Sequence, residues 1–343
     1  MYRGFPILFV LLLTVSFAVP CRACDVPVFR YALERWAPAT YKLNVLVPMG
    51  GSSVESSSGE SIEKLLEGAN CTLDYVVSAE VVPEKDILNL ELVYPGRQGR
   101  DIRIWSGQAT AKDIDELVDS PARREIARAI IDGATAVWVF LECADQSRNE
   151  IALGRLEAIL EQNERELLLP ESVVRLNEVM SGNLRVDFPI IRITRSDIRE
   201  RTFVSMLVNS EPDLGFYEAE PMAFPVFGRG RVLYALVGEG IDSENVSGAC
   251  AFLAGPCACE IKDSNPGMDL LSRFDWTSGF DESWVAVSEH VSLSSLAALA
   301  GGVMDDCSEL TFLRNILISV LAVLLVVAGA SVMLLRKMKR EKR

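Results

Sequence analysis

Residues 136–143 read Ala-Val-Trp-Val-Phe-Leu-Glu-Cys, an unbroken apolar run that stops at Glu142-Cys143. Such a run fits a strand buried on both faces. Just beyond it, Ser147 and Glu150 have capping-box spacing. Ile151, Leu153, Leu156, Ile159 and Leu160 then form one broad apolar face, which predicts a helix. The segment 184–193, LRVDFPIIRI, predicts the next strand. Residues 199–208 predict a helix with Phe203, Met206 and Leu207 inward. Strands at 224–227 and 232–237 flank the turn Gly228-Arg229-Gly230, and a helix over 243–253 closes the series. The order is strand, helix, strand, helix, strand, strand, helix. This is an α/β fold.

The pattern is less regular upstream. Pro27 to Trp36, PVFRYALERW, predicts a short amphipathic helix with proline in its first turn. Tyr41 to Val47 alternates like a strand, and Gly50 to Ser61 is a polar loop. A short helix over 60–68 follows. Strands at 87–93 and 101–105 are joined by Pro95-Gly96-Arg97-Gln98-Gly99. Helices follow at 112–118 and from Ser120-Pro121 to Ile131, with Ser120 as N-cap and Pro121 in the first position.

The two ends predict a compartment. Arg3, the apolar run 6–19 and the small residues around Ala23 have the form of a secretory signal peptide over 1–23. Residues 315–335 are uncharged and almost wholly apolar, long enough for one transmembrane helix. The basic tail 336–343, RKMKREKR, places the C-terminus in the cytoplasm. The expectation is a single-pass cell-membrane protein with its bulk extracytoplasmic. Its domains would be 24–133, 134–255 and a membrane-proximal extension over 256–314. The chain has 48 acidic and 34 basic residues, a net charge of −14. Because bases gather at the two ends, the part between them is more acidic still. That excludes a nucleic-acid partner, which needs a basic footprint. It favours basic partners.

The element order from 134 to 255 resembles the thioredoxin family. Pro221 stands where that family places its cis-proline, and Cys143 where its redox motif begins. The resemblance implies a thioredoxin-like sandwich and a thiol site. The family motif is Cys-x-x-Cys, however, and this chain has Cys143-Ala144-Asp145-Gln146. The resolving cysteine is absent. Residues 24–118 resemble a degenerate second copy in tandem, with Cys24 ahead of the helix PVFRYALERW. Cys21-Arg22-Ala23-Cys24 has the family spacing, but the expected cleavage separates its cysteines. The wording of CDVPVFRYALERW and FPVFGRGRVLYALVG is also similar to uncharacterised bacterial cell-envelope proteins.

Eight cysteines stand at 21, 24, 71, 143, 250, 257, 259 and 307. Export predicts disulfides with at least one thiol left over. Cys250, Cys257 and Cys259 lie close enough in sequence for a local bridge, or to supply three metal thiolates. The only histidine is His290, so a fourth ligand and a serine triad are both hard to assemble. No cofactor is expected. The glycines and arginines of 227–231, FGRGR, read as a hairpin turn or an anion cradle. The leading functional expectation is a membrane-anchored binding or assembly module acting on envelope or membrane proteins. The alternative is a thiol-disulfide oxidoreductase using Cys24 or Cys143 at a helix N-terminus, where a thiolate is stabilised.

Overall fold

A computed structural model describes residues 24–48, 56–78, 89–95, 101–108, 110–170, 173–174, 185–257 and 262–276. The expected signal peptide, transmembrane helix and basic tail lie outside the described residues, as does most of the extension. No helix among the described residues is long and apolar enough to cross a membrane. Two compact units divide the chain at Ser288, and every described residue belongs to the first.

That unit is a mixed α/β structure. The strands are β1 (Cys24–Pro27), β2 (Tyr41–Pro48), β3 (Cys71–Ser78), β4 (Asn89–Tyr94), β5 (Ile102–Gln108) and β6 (Val137–Glu142). They continue with β7 (Ile190–Thr194), β8 (Met222–Phe227), β9 (Arg231–Val232), β10 (Leu236–Val237), β11 (Pro256–Cys257) and β12 (Met268–Asp269). The helices are α1 (Val28–Arg35), α2 (Ser56–Leu66), α3 (Ala111–Val118), α4 (Pro121–Ile131), α5 (Gln146–Glu166), α6 (Arg201–Val208) and α7 (Ser243–Ala254).

Sheet I has the order β3-β2-β4-β5. Sheet II has the order β12-β9-β8-β6-β7, with β10 also paired to β8. A separate ribbon joins β1 to β11. The two sheets repeat one plan. In sheet I, β2 runs parallel to β3 and antiparallel to β4, which is antiparallel to β5. In sheet II, β6 runs parallel to β7 and antiparallel to β8, which is antiparallel to β9. A helix joins the parallel pair in each, α2 in one and α5 in the other.

Strand β6 is the centre of sheet II. Val137, Val139 and Leu141 enter one apolar core with residues of both sheets, including Leu43 and Leu92 of sheet I. Ala136, Trp138 and Phe140 enter a second core with α1, α5 and α7. Period-two alternation sends neighbours to opposite faces, so both faces are apolar. Each large side chain so buried contributes roughly 1.5–3 kcal/mol. The first core crosses the boundary that the sequence places at 133/134, so the two halves share their packing.

Proline explains an interruption in sheet II. The sequence predicts one strand over 232–237; the structure has β9, a gap and β10. Pro225 of β8 turns its carbonyl to this side and accepts from Leu233 N at 2.9 Å. Its ring nitrogen faces the same way and has no proton to give, so the ladder is broken there.

Helix α1 packs away from sheet I. Val28, Phe29, Tyr31 and Ala32 join Val246, Ala249 and Leu253 of α7 in the second core. The turn after β8 seats the helix. Gly228 has φ +57°, and a Cβ there would stand 2.8 Å from Ala32 Cβ. Arg229 donates to Leu33 O at 2.7 Å and Glu34 O at 3.0 Å. Those are carbonyls of the last turn of α1, where a cation is favoured. Arg229 is therefore used inside the fold, and the anion-cradle reading of this turn is corrected to a docking turn.

A buried polar cluster ties the sheets together. Asp269 of β12 accepts from Arg231 Nη1 at 3.1 Å, Lys262 Nζ at 2.6 Å and Ala39 N at 3.2 Å. Its backbone oxygen accepts from the Tyr41 hydroxyl of β2 at 2.9 Å. Arg231 also donates to Pro266 O and Asn265 O. Burial, with Tyr94 and Asp269 nearby, raises the Tyr41 phenol well above its usual pKa.

Candidate functional site

The sequence points to the end of β6, and the chemistry there is built from local hydrogen bonds. Cys143 follows β6 directly and is 8% exposed. Its N–H donates to Asn149 Oδ1 at 2.9 Å, and Asn149 Nδ2 donates to its carbonyl at 2.9 Å. Asn149 is itself buried on the first turns of α5, so Cys143 is held between strand and helix. The thiol lies 3.5 Å from Asp145 O, its hydrogen-bond acceptor.

The N-terminus of α5 is already occupied by a side chain. The sequence predicts a capping box from Ser147; the structure puts Asp145 at the N-cap. Its carboxylate accepts from Ser147 N at 2.9 Å and Arg148 N at 3.2 Å. Aspartate fills the place a thiolate would need, since it satisfies the free amides and places its own negative charge at the positive helix end. Arg148 pairs with Glu220 across the opening. A shallow cavity of about 330 Å³ lies here, lined by Arg148, Ile151, Arg155, Glu220, Pro221 and Gly238 among others. Arg195, at the end of β7, donates to Glu220 O at 3.5 Å. Desolvation lowers the Arg195 guanidinium from its usual pKa, while Glu218 and Cys143 act the other way.

Pro221 lines this cavity. No cis peptide bond occurs among the described residues, so the bond before Pro221 is trans and the cis-proline expectation is corrected. Gly238 N donates to Pro221 O at 2.9 Å, so the residue is held by the β8–β10 pairing.

The other cysteines lie elsewhere. Cys24 was expected at a helix start; it instead begins β1, and α1 starts only at Val28. Cys250 lies buried in α7. Cys257 lies on β11, and Cys259 is outside the described residues. Among the described residues no group of histidine, cysteine or carboxylate side chains is placed to hold a metal. Cys71, Cys143 and Cys250 are free thiols on three separate elements. Two-thiol exchange at Cys143 finds no second thiol beside it among the described residues.

Burial raises the Cys250 thiol from 9.0 to about 12, with Glu164 adding to the effect. The native state thus holds its proton after the unfolded chain has released it. The associated stability is whole below pH 9 and is lost as pH rises through about 12. Cys250 is expected to resist iodoacetamide in the native chain at pH 8 and to label on unfolding. Alkaline denaturation should begin later in Cys250→Ala. Rapid native labelling, or an unchanged alkaline limb, contradicts this.

A larger cleft of about 790 Å³ lies between the sheets, over Tyr94, Ile102, Glu211, Arg231, Lys262 and Asp269. Sequence reasoning missed it, because its walls come from segments far apart in the chain. Its cations are already engaged. Arg231 and Lys262 both bind Asp269, and Lys262 also donates to Ala37 O at 2.5 Å. Among the described residues that line it, no cation is left over for an anionic ligand.

An edge strand is the other feature that the sequence did not reveal. β3 pairs with β2 along all eight of its residues and has no second neighbour among the described residues. Tyr75, Val76 and Val77 are 49%, 37% and 71% exposed. The alternation in Cys71-Thr72-Leu73-Asp74-Tyr75-Val76-Val77 was the signal that could have found it.

Comparison with family models, with curated proteins and with solved structures finds no match.

Proposed function

We propose that this chain is a membrane-anchored, extracytoplasmic binding or assembly module, built on two thioredoxin-like units in tandem. The repeated strand plan of sheets I and II supports the tandem reading. Each sheet has its first strand central, its second parallel on one side, its third antiparallel on the other, and its fourth antiparallel to the third. The scaffold is used without the family's exchange chemistry. Asp145 caps the helix, Cys143 is buried and Gln146 stands where the family's second cysteine would be.

One observation carries the binding reading. The outer edge of β3 presents Tyr75, Val76 and Val77 on an eight-residue strand that has one open side among the described residues. Such an edge is a template for another extended segment. Main-chain bonds would supply affinity and the exposed side chains selectivity. The partner class is an envelope or membrane protein with an extended segment. The chain's acidic balance favours basic flanks on that segment.

The test uses the full chain in its own membranes, with chemical cross-linking and recovery of the adducts. Wild type and Cys143→Ser are expected to give the same adducts. Val77→Lys should weaken them roughly tenfold, equivalent to about 1.4 kcal/mol. Its effect on stability should stay within about 0.5 kcal/mol, because the site is exposed. Adducts that need Cys143 and dissolve on reduction would replace this reading with thiol exchange.

A further inference from the structure

We infer that Cys24 and Cys257 are joined by a disulfide bond that closes the ribbon β1–β11. The inference starts from register. The two strands are antiparallel, and Cys24 and Cys257 are direct cross-strand partners. Partners in an antiparallel ladder lie about 4.5–5.5 Å apart at Cα. A disulfide accepts Cα separations of about 4.4–6.8 Å. The ordinary spacing of such partners thus falls inside the range that a disulfide accepts.

The ribbon is held in place on both sides. Val28 N, at the start of α1, donates to Gly255 O at 3.0 Å. Gly255 caps α7, and its own N–H donates to Ala251 O at 2.9 Å. The ladder shifts register between Cys24 and Pro27, but the cysteine pair itself is in register. The remaining described cysteines do not compete. Cys71 opens β3, Cys143 follows β6 and Cys250 lies inside α7.

The chemistry needs an oxidant, here a small or protein disulfide of the extracytoplasmic space. Each cysteine thiol loses a proton, and together they give up two electrons. One sulfur–sulfur bond forms in this chain and one breaks in the oxidant, which leaves as two thiols. For its oxidant the inference rests on the export reading of the proposed function. Cys24 then has a structural role: it locks the first described strand to the segment leaving the last helix. It is no longer an exchange thiol.

The full chain is isolated with free thiols blocked by N-ethylmaleimide at lysis, digested without reduction, and sequenced by mass spectrometry. A peptide pair linked through Cys24 and Cys257 is expected. Fragmentation must place the link at Cys257 and not at Cys259. Cys24→Ser, Cys257→Ser and the double variant should each lower Tm by a similar amount, about 5–15 °C. Equal losses are the mark of one bond with two ends. If both thiols are found alkylated in the blocked sample, but a parallel preparation left unblocked forms the bond when oxidised glutathione is added, the pairing stands and the export reading fails. If the pair stays open under oxidised glutathione, or Cys24 is linked to another cysteine, the inference is overturned. Because the peptide map is taken on wild type, it remains decisive if a serine variant fails to fold.

Discussion

Asp269→Ala is expected to destabilise the protein by about 3–5 kcal/mol, because it leaves the Arg231 guanidinium buried without its carboxylate. The two side chains are each only 5% exposed. Lys262 and the Ala39 amide lose the same acceptor. The effect should read as a fall in Tm of about 10 °C or more. Replacing both partners, Arg231→Met with Asp269→Leu, should cost less than Asp269→Ala alone, since the buried guanidinium is then not stranded. A double-mutant cycle separates the pair from the rest of the cluster. If Asp269→Ala stays within about 1 kcal/mol of wild type, the cluster is not what holds the sheets together.

Arg123→Met should be comparably severe, about 3 kcal/mol or more, through a different mechanism. Arg123 is buried near the start of α4, and its guanidinium donates to three backbone carbonyls and a hydroxyl. It donates to Leu117 O at 2.7 Å and Glu116 O at 2.7 Å, at the end of α3. It also donates to Leu271 O at 2.8 Å and Ser120 Oγ at 3.1 Å. Desolvation pulls its pKa down to about 10, with Glu200 and Asp119 opposing, so it remains charged at neutral pH. Methionine fills much of the volume but strands three carbonyls. Arg123→Lys should recover little, because one ammonium cannot span the same fork of acceptors. Urea titration of the two variants decides this. Full recovery by lysine would show that charge alone matters.

Local signals in the sequence were read where the structure is local. The run at 136–141 is the buried central strand, and Ser120-Pro121 does open a helix whose N-cap accepts from Arg123 N. Asp145 shows how a competing side chain redirects such a signal. It stands two residues before Ser147 and takes the amides first, so the cap moves upstream. Pro225 shows a cross-strand effect: its missing proton breaks a strand that reads as continuous on its own. The ribbon β1–β11 was illegible because two short strands meet from opposite ends of the described chain. Their pairing is set by tertiary packing, not by propensity. For the same reason the sequence misread Cys24 as a helix-start thiol. At Cys143 the missing resolving cysteine was plain, but the aspartate cap needed coordinates.

The seating of α1 on α7 has a consequence for biosynthesis. A chain made from its N-terminus produces α1 early and the surface that receives it last. At roughly 5–20 residues per second, the intervening chain takes on the order of 10–45 s to appear. Through that interval the apolar face of Val28, Phe29, Tyr31 and Ala32 has no native seat. Closing so long a loop also slows the search for the final arrangement. The seat for α1 is therefore complete only once the last turn of α7 has been made.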